Sequence, residues 1–137
     1  MLEKDVILSK ISIVQNCLKT IRKITNGDGS RLEDPINQDV FVLNLQRAAQ
    51  ACIDIAHTII AEKNLKLPAS YKESFEILAR ENIIPRESAA QMKKMAGFRN
   101  IAVHDYEQLD VNILKSILAN NLTDLEVFCS HIFSALN

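Results

Sequence analysis

Glycine and proline are sparse in this sequence, three of each in 137 residues, and aromatic residues make up only 5%. So few of the first two exclude a collagenous chain and a flexible linker protein. Long apolar runs are absent as well. Every uncharged stretch falls well short of the ~18 residues a bilayer span needs and is studded with polar groups, so no membrane partner is expected. Residues 1–10 (MLEKDVILSK) mix acids into the first turn and lack a small-residue cleavage site, so no secretion signal is expected either. Charge of one sign is missing too: 16 Lys and Arg stand against 17 Asp and Glu, a net charge of −1. Bulk charge therefore does not mark a nucleic-acid binder, although residues 63–99 carry eight bases against four acids. The three cysteines, Cys17, Cys52 and Cys129, are odd in number, form no CxxC and have no His pair at ligand spacing. A disulfide framework and a zinc site are both excluded on that pattern, and buried thiols in a reducing cytoplasm are expected. No P-loop, GxGxxG, GxSxG or HExxH is present, and no metal or cofactor is implied.

What is there is a helical pattern from end to end. Ile7, Ile11, Val14, Leu18 and Ile21 recur at steps of four and three and predict one core-facing stripe. Asn26-Gly27-Asp28-Gly29-Ser30 interrupts it and reads as a mobile loop. Asp34-Pro35 then caps a second helix reaching about Lys63, apolar on much of its circumference and rich in alanine. Such a helix sits either at the centre of a bundle or at a subunit contact. Pro68 breaks the chain, and Ser70 to Glu73 is a capping box opening a short third helix. A fourth follows Pro85 with Met92 and Met95 as core fillers, and a fifth opens near Asp110 and runs through Leu136. The fold class is all-α, an antiparallel bundle of about five helices.

One stretch between the fourth and fifth helices breaks these rules: Gly97-Phe98-Arg99-Asn100-Ile101-Ala102-Val103-His104-Asp105-Tyr106. A guanidinium, a carboxamide, an imidazole and a phenol crowd into eight residues. Taken singly, the histidine reads as a core residue, the arginine as a partner for Asp105 and the tyrosine as a half-buried anchor. Together they suggest a site. On an unbroken helix Arg99 and Tyr106 would share a face while His104 pointed about 140° away from Arg99. Convergence on one ligand would require the backbone to leave the helix between Arg99 and His104. Elsewhere, Asp54 and His57 share a face of the second helix with Arg47 and Gln50 one and two turns earlier. That strip reads either as a cleft or partner contact, through Arg47 and Asp54, or as hydrogen bonds between helices. His131 reads as a surface residue near a helix end.

Arg99, four residues, His104, one residue and Tyr106 match the R-x4-H-x-Y signature of the HEPN superfamily, with Asn100 the polar residue those motifs favour after the arginine. The chain length, helical plan, alanine-rich second helix with Gln46-Arg47-Ala48 and Asp54, and motif position resemble the HepT type across essentially residues 1–137, read as a single domain. The resemblance implies a helical homodimer with two motifs facing one cleft and a cytoplasmic, metal-independent endoribonuclease toxin. It implies a nucleotidyltransferase antitoxin of the MNT type, which attaches AMP to the motif tyrosine, here Tyr106. Arg99 and His104 are the implied catalytic residues, with Asn100 and Tyr106 contacting the RNA substrate. The chemistry suits them. RNA carries its own 2′-hydroxyl nucleophile and needs only a base near neutral pKa and a fixed cation on the phosphate. The alternative within the same superfamily is a non-catalytic nucleotide-binding or adaptor subunit of a nucleotidyltransferase.

Overall fold

Apolar residues at steps of three and four build α1 (Leu2–Thr25) in the computed structural model, which describes residues 2–136. Ile7, Ile11, Val14, Leu18 and Ile21 are all buried, as their spacing predicts. The stripe lies along α2 (Pro35–Glu62), the most extensive helix pairing among the described residues. Lys10 meets Asp54, and Cys17 lies within the field of Arg47, so α1 and α2 run antiparallel. The α2 helix has 28 residues, a length of roughly 42 Å. Asp34 caps it by accepting from the Ile36 amide at 2.8 Å, with Pro35 in the first turn. Leu45, Ala48, Ala49, Cys52, Ile53 and Ala56 bury one broad face of it, and it touches every other helix. Of the two positions its composition allowed, the centre of the bundle is the one it occupies. Its alanines let the surrounding helices approach closely.

The capping box at Ser70 forms as its residues dictate. Ser70 Oγ accepts from the Glu73 amide at 3.1 Å, and the Glu73 carboxylate accepts from the Ala69 amide at 2.7 Å, opening α3 (Tyr71–Arg80). Asn82, with φ of 59°, turns the chain into α4 (Arg86–His104), which packs on α3 and α2. Phe75 of α3 meets Phe128 of the last helix edge to face, ring centres 5.5 Å apart, and both are fully buried.

Two expectations are corrected. The fifth helix is two: α5 (Val111–Asn120) and α6 (Leu122–Ala135), so the described residues hold six α-helices rather than five. Asn120-Asn121 is the cause. Asparagine is a weak helix former whose amide competes for local partners, and the Asn121 side chain donates to Asp124 at 3.0 Å across the break. The apolar periodicity continues through the pair and conceals it.

Nor is the glycine-bearing stretch a mobile loop. Asn26 and Gly27 take positive φ and end α1, and Asp28 then accepts from the Ser30 amide at 2.9 Å to cap a 3-10 turn, Gly29–Glu33. Leu32 plugs this turn fully into the core, and Glu33 pairs with Lys115 of α5. Cys17, Cys52 and Cys129 are buried free thiols, and burial raises the pKa of Cys52 well above the usual thiol range. No helix among the described residues is long and apolar enough to cross a membrane.

Candidate functional site

The α4 helix carries the polar constellation at its C-terminal end. It stays regular through His104, and the Asp105 amide still donates to the Ile101 carbonyl at 2.8 Å. The backbone leaves the helix only at Asp105 (φ −152°, ψ 50°), makes one 3-10 turn (Tyr106–Gln108) and enters α5. There Asp110 caps by accepting from the Asn112 amide at 2.6 Å. The expected break between Arg99 and His104 is therefore corrected: it falls after His104, where an aspartate can end the helix. Five helical residues separate the two side chains by about 140°. They diverge within one protomer.

Arg99 points inward against two elements. Its Nε donates to Gln50 Oε1 of α2 at 2.8 Å, one terminal nitrogen donates to Asn100 Oδ1 at 3.2 Å, and the guanidinium lies 5.1 Å from the ring centre of Tyr71 on α3. The arginine thus pairs with neither Asp105 nor another acid in the described residues. Two of its five N–H groups are used, and three stay available to a planar oxyanion. Gln50 is held in turn, since its amide donates to Asp54 Oδ1 at 2.9 Å while Lys10 donates to Asp54 Oδ2 at 3.0 Å. Asp54 accordingly belongs to a relay linking α1 and α2 to Arg99. Arg47 stands exposed on the α1 side, and its charge reaches Cys17.

His104 is the opposite case. It is exposed, and no described residue hydrogen-bonds its imidazole. Ile101 and Val103 beside it are 42% and 40% exposed, an unusual concentration of apolar surface around one histidine. Tyr106 is half-exposed and donates to Asp39 Oδ1 of α2 at 2.6 Å. That bond, then burial and the charge of Asp39, push the phenol up to about 12.

His57 is drawn into a different cluster from Asp54: its Nε2 lies 2.9 Å from Ser74 Oγ, and its ring tilts against Tyr71 at 5.7 Å. His57 and Tyr71 border a cavity of about 400 Å³ between the end of α2 and the start of α3, lined also by Ile60, Pro68 and Leu67. His131 is half-buried beside Asp124 and Val127, remote from the motif. No cluster of three or more His, Cys, Asp or Glu suited to a metal ion occurs among the described residues.

Sequence reasoning missed Asp39, Tyr71 and Lys72. The Lys72 side chain lies 3.7 Å from where a Cβ on Gly97 would stand, so α3 sets a second cation two residues from Arg99. Its only signal was the basic balance of residues 63–99.

A family model described as Ribonuclease HepT-like matches residues 14–132. The mRNA nuclease HepT of Shewanella oneidensis is 42% identical over 125 residues, covering 90% of this chain and 93% of its own length. The tRNA nuclease HepT of Aphanizomenon flos-aquae is 27% identical over 138 residues, covering 98% and 92%. Among solved structures, a tri-AMPylated Shewanella oneidensis HEPN toxin in complex with MNT antitoxin superposes with a TM-score of 0.88 at 41% identity, over 95% of this chain and 98% of its own.

Proposed function

The chain belongs to the HepT-like ribonuclease family, and from that premise we propose that it is an endoribonuclease toxin that cleaves RNA without a metal ion and is silenced by an MNT-type nucleotidyltransferase. The observation that carries the reading is the contrast within one motif. Arg99 is braced by Gln50, Asn100 and Tyr71 with donors to spare, while His104 stands free at a helix end.

A braced arginine is a fixed oxyanion clamp, and it stabilises charge as it gathers on the phosphoryl oxygens without reorganising. A free imidazole is what a general base needs: an open nitrogen that reaches the 2′-hydroxyl. His104 takes that proton, the 2′-oxygen attacks the adjacent phosphorus, and the 5′-oxygen leaves. The products end in a 2′,3′-cyclic phosphate and a 5′-hydroxyl. Asn100 orients Arg99, Tyr106 turns its single O–H from Asp39 to hydrogen-bond the phosphate, and Lys72 adds charge for the RNA backbone.

Because Arg99 and His104 diverge on one straight helix, a second copy supplies what one protomer lacks. A two-fold axis near the end of α4 buries Ile101 and Val103 and faces the two motifs across one cleft. The partner's histidine then serves as general acid for the leaving oxygen. AMP on Tyr106 places a negative phosphate and a bulky nucleoside in that cleft, neutralising Arg99 and repelling RNA.

Expression in a host without the antitoxin tests this reading. Wild type should arrest growth, and His104→Ala, folded and equally abundant, should not. Equal tolerance of both proteins would favour the nucleotide-binding adaptor.

A further inference from the structure

Asp39 and Tyr106 are 67 residues apart in sequence, yet they make a short bond, with the phenol donating to Asp39 Oδ1 at 2.6 Å. Nothing in RNA cleavage as derived above uses this carboxylate. Asp39 is exposed on the first turns of α2, it has no salt-bridge partner among the described residues, and no other described residue bonds the phenol. Tyr106 itself remains 44% exposed, so the side chain can be approached by a second protein from the solvent side. The pair is an acceptor nucleophile with a base already on its proton.

We propose that Asp39 is the general base for nucleotidyl transfer onto Tyr106. The inference rests on the reading that a nucleotidyltransferase partner modifies this tyrosine, and it assigns part of the transfer machinery to the toxin. The phenolic oxygen forms a bond to the α-phosphorus of a nucleoside triphosphate held by the partner. The bond from that phosphorus to the oxygen bridging to the β-phosphate breaks, and pyrophosphate leaves with the electron pair. The phenolic proton passes to Asp39 Oδ1. Before attack the phenol, raised to about 12, keeps its proton against so weak a base. As the bond to phosphorus forms, charge drains from the oxygen and the proton becomes strongly acidic, so a carboxylate at hydrogen-bond distance takes it late in the step. Protein kinases use an aspartate on the acceptor hydroxyl in the same way.

The test is adenylylation of purified toxin by its cognate nucleotidyltransferase with ATP and Mg²⁺, followed by intact-protein mass spectrometry, with Tyr106→Phe as the control for position. Asp39→Asn keeps an acceptor oxygen but cannot take the proton. Its kcat should fall on the order of 10²-fold with KM for the toxin little changed. Asp39→Glu should recover most of the rate, and Asp39→Ser supplies a second loss-of-base variant. Folding is checked by cooperative melting. Modification of Asp39→Asn at the wild-type rate overturns the inference. So does a faster rate, because it makes the bond a restraint on the phenol. Wild type that stays unmodified removes the reading of Tyr106 itself, and the inference with it.

Discussion

Arg99, His104 and Tyr106 lie within eight residues of chain, yet each faces a different environment. Arg99 packs against α2 and α3, His104 faces solvent, and Tyr106 is tied to Asp39 beyond the helix end. The motif was legible because four chemically distinct side chains crowded beside a glycine. Their partners were not, because Gln50, Tyr71 and Asp39 come from elements distant in sequence and no local pattern announces them. The Tyr106–Asp39 bond has a direct titration signature. A phenol raised to about 12 keeps its proton, and with it the bond to the Asp39 carboxylate, through neutral and mildly alkaline pH, so on the alkaline side the stabilisation is complete up to pH ~10 and fades as pH climbs through the folded value. The ring-carbon NMR shift of Tyr106 should therefore titrate near 12, and in Asp39→Asn nearer 10. Identical midpoints would show that the bond does not persist in solution.

Helix ends, more than helix interiors, decided what could be foreseen. The capping box at Ser70 and the Asp34-Pro35 start are local devices, and both formed where the sequence places them. The break at Asn121 and the 3-10 turn at Gly29–Glu33 rest on weaker signals, an asparagine pair and one leucine among polar residues. Leu32 matters most there, because without its burial the segment would have been the loop its composition suggests. Leu32→Ala should cost about 2–5 kcal/mol in denaturant unfolding, as for other buried leucines. A change within ~0.5 kcal/mol would place the side chain outside the core. The continuity of α4 has the larger functional consequence. Spacing alone required a break for convergence, and the structure keeps the helix unbroken through His104, which is why the proposed site draws on a second protomer.

At the scale of the whole molecule, a central α2 wrapped by five helices leaves the end of α4 as its chemically distinctive surface. Exposed Ile101 and Val103 beside His104 make that end suited to self-association. A composite cleft predicts non-additive loss. Dimers with one wild-type and one His104→Ala protomer, separated by distinct tags, should retain well under half of wild-type activity. Simple halving would mean two independent sites.

The most direct test of the account is RNA cleavage by the unmodified purified protein in EDTA, beside His104→Ala, with the product ends identified. The account predicts 2′,3′-cyclic phosphate and 5′-hydroxyl ends, and a loss on the order of 10²–10⁴ in rate in a variant that still melts cooperatively. Cleavage that stops in EDTA, or products with free 3′-hydroxyl ends, would contradict it, because an internal 2′-hydroxyl nucleophile needs no metal and cannot make such ends.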